Sequence, residues 1–204
     1  MSARQSTCPV WDWTPSRRPK PSSGSVRWAS LRALELHEGL AAYTNGAMRE
    51  SVRHIVGVQL RNLATVGGSL YSRFGFSDVL TMFLVLDAQV ELYKGGIVPL
   101  SEYAERPKDR DILVRIIVPK KNAKFNYQSV RISQTDIPVL TCASVKDKNG
   151  YRFAIGARPA RAQIYAQPVD KTAEQMAEAV RAEIKTGSSL RAVRNIADTS
   201  RVCW

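Results

Sequence analysis

The chain has 204 residues and 44% apolar content, enough for one domain or two small lobes around a shared core, and no apolar run reaches the roughly 18–20 residues that cross a bilayer. The formal charge of +12 invites a nucleic-acid reading, but half of it sits at the two ends, with a net +4 in residues 1–30 and a net +2 in residues 191–204. The centre is a mildly basic, solvated surface, and the three Cys and two His offer neither a disulfide framework nor a metal-ligand cluster.

Residues 1–25 hold four of the ten Pro and no apolar periodicity, and read as a disordered tail; a Trp-bearing peptide motif is the alternative. They carry no secretory signal, and a reducing cytoplasm is expected. Order begins near Val26. "ASLRALELHEGL" suggests a helix or a turn of helix. "NGAMRESVRHIVG" reads as a helix that Asn45 caps, with Met48, Val52, Ile55 and Val56 on one face and Gly57 as its stop. "QLRNLATVGGSLYS" follows as an irregular strand and turn. Ser77 or Asp78 caps a buried helix over 79–87, "AQVELYK" alternates as a strand, and Gly95–Gly96 turns into "IVPL".

The second half reads differently. "DILVRIIVP" (111–119) and "KFNYQSVRIS" (124–133) look like paired strands, and residues 136–167 like a meander with a hairpin at Asn149–Gly150. The last helix presents Met176, Ala179, Val180 and Ile184 on one face, with Gly187 as its C-cap. The fold class expected is α+β. Its divisions are a tail (1–25), a mixed lobe (26–110), an antiparallel sheet with a helix (111–190) and a divergent tail (191–204).

The glycine pair Gly67–Gly68 draws chemical attention. Without Cβ atoms the backbone there admits positive φ and close approach of a ligand, and successive N–H groups in such a turn suit a phosphate. Thr65 and Ser69 add hydroxyls, and Asp78 offers a carboxylate to a ribose. The same residues also suit a plain tight turn and an N-cap. Cys142 reads as a core residue.

The order of these features resembles one family. "RNLATVGGSL", then "FSDVL", an apolar helix and "AQVEL" is similar to the flavoprotein subunit of the xanthine dehydrogenase and carbon monoxide dehydrogenase family of molybdenum hydroxylases. "SVRISQTDIPVLTCA" and "RFAIGARPARAQ" sit where that family's C-terminal strands fall, so the resemblance covers roughly residues 31–190. It implies the second half of a PCMH-type FAD-binding domain followed by the family's antiparallel sheet and helix subdomain. By position it implies FAD contacts from Ala64, Thr65, Val66, Gly67, Gly68, Ser69, Asp78 and Arg131, with Ser69 standing where the family has Asn. It implies no catalytic acid, base or nucleophile from this chain. A large subunit with the molybdenum cofactor and a small one with [2Fe-2S] clusters would be its partners, and NAD or another acceptor would take the electrons. Neither nucleic acid nor a membrane is among the partners expected.

One family element is not matched. Residues 1–58 hold no A-G-G-T turn of the kind that grips the other side of the FAD pyrophosphate. The expectation is a copy lacking that N-terminal subdomain, with tails foreign to the family, that holds FAD weakly. A non-catalytic remnant contacting partner subunits is the alternative, and an RNA-binding domain rests on charge alone.

Overall fold

The computed structural model describes residues 28–148, 150–157, 161–167, 171–184 and 187–188. The expectations for residues 1–25, for 191–204 and for Asn149 lie outside them. Six short helices come first: α1 (Leu31–Leu36), α2 (Glu38–Tyr43), α3 (Ala47–Arg53), α4 (Val58–Leu63), α5 (Val66–Tyr71) and α6 (Asp78–Val85). A three-stranded antiparallel sheet follows, of β1 (Gln89–Leu92), β2 (Gly96–Pro99) and β3 (Leu113–Ile117) in the order β2-β1-β3, with α7 (Leu100–Glu105) between β2 and β3. The second sheet is a meander of β4 (Lys124–Val130), β5 (Leu140–Asp147), β6 (Gly150–Gly156) and β7 (Gln163–Gln167), closed by α8 (Ala173–Glu183).

The helix α6 holds the two halves together. All eight of its residues are buried, as its unbroken apolar run requires, and it packs on α3 and α5 on one side and on β5 and β6 on the other. Ser77 caps it by accepting from Leu80 N at 3.1 Å. The buried Thr81 hydroxyl meets that of Thr141 from β5 at 2.9 Å. Just past α6, the Asp87 carboxylate accepts from Lys121 and Arg152, tying the helix end to the second sheet.

Several sequence expectations are corrected here. The segment 111–119 does not pair with 124–133; β3 lies beside β1, Ile116 opposite Val90, and β4 pairs with β5. Alternating apolar residues mark both as strands but do not choose a partner. Residues 59–72 are not an irregular strand but parts of α4 and α5 joined at Ala64–Thr65. Asn45 does not cap α3; Gly46 takes that place at φ 82°, while Asn45 Oδ1 accepts from Phe125 N. The last helix ends at Glu183 with Ile184 as its C-cap, three residues before Gly187. Its predicted face is borne out: Met176 and Val180 are buried against Leu140, Cys142, Phe153 and Ile155, with Ile184 beside them.

Candidate functional site

The stretch around Thr65 is fixed by residues 29–31. Leu31 N donates to the Ala64 carbonyl and Val66 N to the Ala29 carbonyl, both at 2.9 Å, and Ser30 bridges Thr65. Thr65 then caps α5, its side chain accepting from Gly68 N at 3.1 Å. Gly67 and Gly68 are therefore helical. The glycines at positive φ among the described residues are Gly46, Gly96 and Gly150, so the expected left-handed nest is not formed. Its donors are also partly used: Ser69 N and its hydroxyl both donate to the Thr65 carbonyl at 3.1 Å.

What Gly68 provides is bare surface. A Cβ built there would meet within 4 Å only the Thr65 hydroxyl, at 3.1 Å. Glycine inside a helix costs about 1 kcal/mol relative to alanine, and the backbone conformation does not require it at this position. A Cβ would press on the Thr65 cap hydroxyl and would also cover the backbone from the cavity side.

That surface opens on a cavity of about 470 Å³. Of the eight residues expected at a cofactor site, Ala64, Thr65, Gly68, Ser69, Asp78 and Arg131 line it together; Val66 is buried, and Gly67 lines a neighbouring cavity of about 350 Å³ with Thr65, Gly68, Tyr71 and Asp111. The walls are otherwise mainly apolar, with Ile55, Leu60, Phe74, Phe76 and Ile137 among them. The Phe74 and Phe76 rings are parallel to within 8° at 5.1 Å, and Lys108 lies over the Phe74 ring at 5.4 Å. Their loop is pinned from behind. Arg73, buried and at φ 51°, donates to the carbonyls of Arg106 and Pro107 at 2.9 Å, and Ala157 N donates to the Gly75 carbonyl at 2.7 Å.

Asp78 and Arg131 meet at the far wall, but they face each other. The Arg131 guanidinium bonds Asp78 Oδ1, and the Tyr127 hydroxyl donates to the same oxygen at 2.5 Å. Arg131 also donates to the Asp136 carbonyl and to Ser129 Oγ. All three are buried: Tyr127 and Asp78 are 3% and 4% exposed, and the Arg131 side chain 7%. Burial pushes the Asp78 carboxyl above its ordinary range, with Arg131 and Tyr127 acting against it. Burial, and then the Asp78 charge, hold the Tyr127 phenol well above its ordinary range, so it stays a donor. With Arg131 committed to Asp78, the lining carries no unpaired guanidinium for a phosphate. A phosphate would meet a free hydroxyl donor at Thr65, the Ser69 hydroxyl being given to the Thr65 carbonyl, and the apolar interior suits a flat ring.

Tyr127, Phe74 and Phe76 are the residues that sequence reasoning missed. The alternation of Phe125 and Tyr127 along β4 does mark them as inward-facing. The aromatic pair around Gly75, just ahead of Ser77–Asp78, was a signal of the same kind. Among the described residues there is no group of three or more His, Cys, Asp and Glu suited to a metal ion, and no helix long and apolar enough to cross a membrane.

Residues 26–121 match the family model described as FAD binding domain in molybdopterin dehydrogenase. The match contains Thr65, Gly68 and Asp78 but ends before Tyr127 and Arg131. In sequence, the chain is 28% identical over 134 residues to the uncharacterized protein YgfM of Escherichia coli strain K12, covering 65% of this chain and 51% of that protein. The chain thus spans about half the length of the curated relatives it matches. In structure, it is similar to quinoline 2-oxidoreductase from Pseudomonas putida 86, with a TM-score of 0.71 and 17% identity over 85% of this chain and 70% of that one. Carbon monoxide dehydrogenase from Hydrogenophaga pseudoflava gives a TM-score of 0.74 and 18% identity, over 91% of this chain and 75% of that one. A reconstituted CO dehydrogenase from Oligotropha carboxidovorans gives 0.72 and 17%, over 86% and 69%. At such identities the likeness is one of fold, and the expected α+β class stands with it.

Proposed function

We propose that this chain, whose residues 26–121 match the family model described as FAD binding domain in molybdopterin dehydrogenase, is the FAD-carrying electron-transfer part of a molybdenum hydroxylase. The observation that carries the proposal is the convergence of Ala64, Thr65, Gly68, Ser69, Asp78 and Arg131 on one cavity, from segments up to about 70 residues apart. The cavity volume falls within the range of roughly 300–1,000 Å³ common to ligand sites.

FAD when bound supplies electron uptake and release, which no side chain of this protein need perform. The chain's own part is to hold and shield. The bare backbone at Gly68 admits close approach of the pyrophosphate, while Thr65 presents its hydroxyl at the same rim. Thr65 Oγ1 accepts from Gly68 N and so keeps its own proton to donate. Phe74, Phe76, Ile55 and Ile137 exclude water from the interior. Asp78 braces the wall through Arg131 rather than offering Oδ1 to a ribose. A molybdenum-bearing large subunit and an iron–sulfur small subunit would deliver the electrons, and NAD or another acceptor would remove them.

The test is a thermal-shift titration with FAD up to millimolar concentration, on the unmodified chain and on Gly68→Val. A saturable rise in Tm for the unmodified chain, lost in Gly68→Val while that variant still unfolds cooperatively with a ligand-free Tm within a few degrees of the unmodified chain, is expected. No FAD-dependent shift in the unmodified chain, or an equal shift in both, overturns the assignment.

A further inference from the structure

The loop between β4 and β5, residues 131–138, separates two spaces. Thr135, Asp136, Ile137 and Pro138 line the apolar cavity. Ile132, Ser133 and Gln134 line a polar cleft of about 570 Å³, together with Glu50, His54 and Gln128. Arg131 borders both, Asp78 borders the cavity and Tyr127 the cleft. The partition has little regular structure of its own. Val139 N donates to the Val130 carbonyl at 2.8 Å at its base, and Asp136 N to the Ser133 carbonyl at 3.1 Å near its tip. Most of its side chains are exposed. A segment of this kind opens readily unless something anchors it.

We propose that Tyr127, Asp78 and Arg131 form a latch that keeps the 131–138 loop closed as the wall of the cavity, with Tyr127 as its positioning residue. The connection runs from β4 through α6 into the loop. The Tyr127 hydroxyl donates to Asp78 Oδ1, which holds Arg131, which donates in turn to the Asp136 carbonyl. A buried ion pair is stable only when its remaining hydrogen-bonding capacity is met, and Tyr127 meets it on the oxygen that Arg131 uses. Removing the hydroxyl leaves Asp78 less supported as an anion, and a neutral acid is the weaker anchor for a guanidinium. The charged and titratable groups around Asp78 are Arg131 from the loop and Tyr127 from β4, with Glu50 of α3 and His54 at its C-cap across the cleft. Tyr127 is not among the cavity's lining residues, so its influence on a ligand there passes through the loop.

The latch can be tested without any ligand, because Arg131–Ile132 is itself a tryptic site within the loop. In Tyr127→Phe the ring stays and one hydrogen bond to a carboxylate goes, so cleavage after Arg131 should rise about tenfold. Cleavage after Arg115, inside β3, should not change. The effect on flavin rests on the function proposed above and is read separately: FAD should bind the variant about tenfold more weakly. Equal acceleration at Arg115 and Arg131 would show a general loss of stability and overturn the proposal, as would unchanged cleavage at Arg131. Selective cleavage at Arg131 with undiminished FAD affinity would overturn the loop's role as the binding wall. If the unmodified chain binds no FAD, the flavin assignment falls, and the cleavage pattern alone decides the latch.

Discussion

Gly67–Gly68 and Gly95–Gly96 look interchangeable in the sequence, each a glycine pair between apolar segments. In the fold they differ in the one property that explains a glycine. Gly96 sits at φ 66° in the β1–β2 hairpin, a conformation that side chains bearing a Cβ rarely adopt. The N–H groups of Lys94 and Gly95 beside it donate to the Asp111 carboxylate at 2.7–3.1 Å. That pair is explained by the chain alone. Gly67 and Gly68 are helical and need no left-handed backbone, and a Cβ on Gly68 meets only a hydroxyl at 3.1 Å. A glycine that no backbone conformation demands, crowded only at its own helix cap and set on the rim of a cavity, is better evidence for a ligand than one that a turn demands. Gly156 is a third case. Its missing Cβ would lie 2.7 and 2.8 Å from the hydroxyls of Thr141 and Thr81 and 3.0 Å from the Gly75 carbonyl.

These three kinds of glycine make graded predictions. The largest effect belongs to Gly156→Val, which wedges α6 away from β5 and β6. A loss of about 3 kcal/mol or more is expected, read as a lower denaturant midpoint. Next is Gly68→Val, where FAD affinity should fall about a hundredfold while unfolding stability moves by no more than about 1 kcal/mol. Gly68→Ala sharpens the point: stability should hold or rise by up to about 1 kcal/mol as affinity drops. Gly96→Ala should do the reverse, costing about 1 kcal/mol of stability for its positive φ and leaving FAD affinity as it was. Should Gly68→Ala destabilise the chain as much as Gly96→Ala, the distinction between the two pairs would collapse.

The same contrast shows how far the sequence could be read. Helix α6 was legible because its cap and its apolar run are local: Ser77 accepts from Leu80 three residues on, and all eight helical residues are buried. The strands β1 and β2 were legible for a similar reason, with the Gly95–Gly96 turn between them. What was misread depends on distant partners. The alternation of β3 does not say that β1, more than 20 residues earlier, will claim it instead of β4. At the site, the glycine stretch and Asp78 stood out as residue types, and the cavity gathers them. Their roles did not stand out. The Thr65 side chain turns to Gly68 N, removing the expected nest. Asp78 turns to Tyr127, 49 residues away, and no pattern within either segment announces that bond.

The smallest effect concerns the hairpin's own support and involves no ligand. Asp111 is a partly exposed carboxylate that accepts from Lys94 N, Gly95 N and Ile112 N. Slight desolvation pushes its carboxyl up, and these N–H groups outweigh it, so the group is held below the ordinary carboxylate range. The sign follows from linkage. A carboxyl whose pKa is lower in the folded chain than in the unfolded one contributes stability that is fully present above the unfolded value, about pH 4. That contribution fades as pH falls through the folded value. Protonation would release the N–H groups of Lys94 and Gly95 first. Their amide protons should therefore exchange faster relative to their intrinsic rates below about pH 4, while those of the α6 core stay protected. In Asp111→Asn this acid-dependent loss should vanish, leaving one protection level at every pH. Asp111 lies outside the cavity proposed for FAD, though it shares a neighbouring one with Gly67 and Gly68, and the variant should titrate FAD like the unmodified protein. A change in FAD affinity with Asp111→Asn would mean that the hairpin and the cavity are coupled, and that the two glycine pairs are not independent.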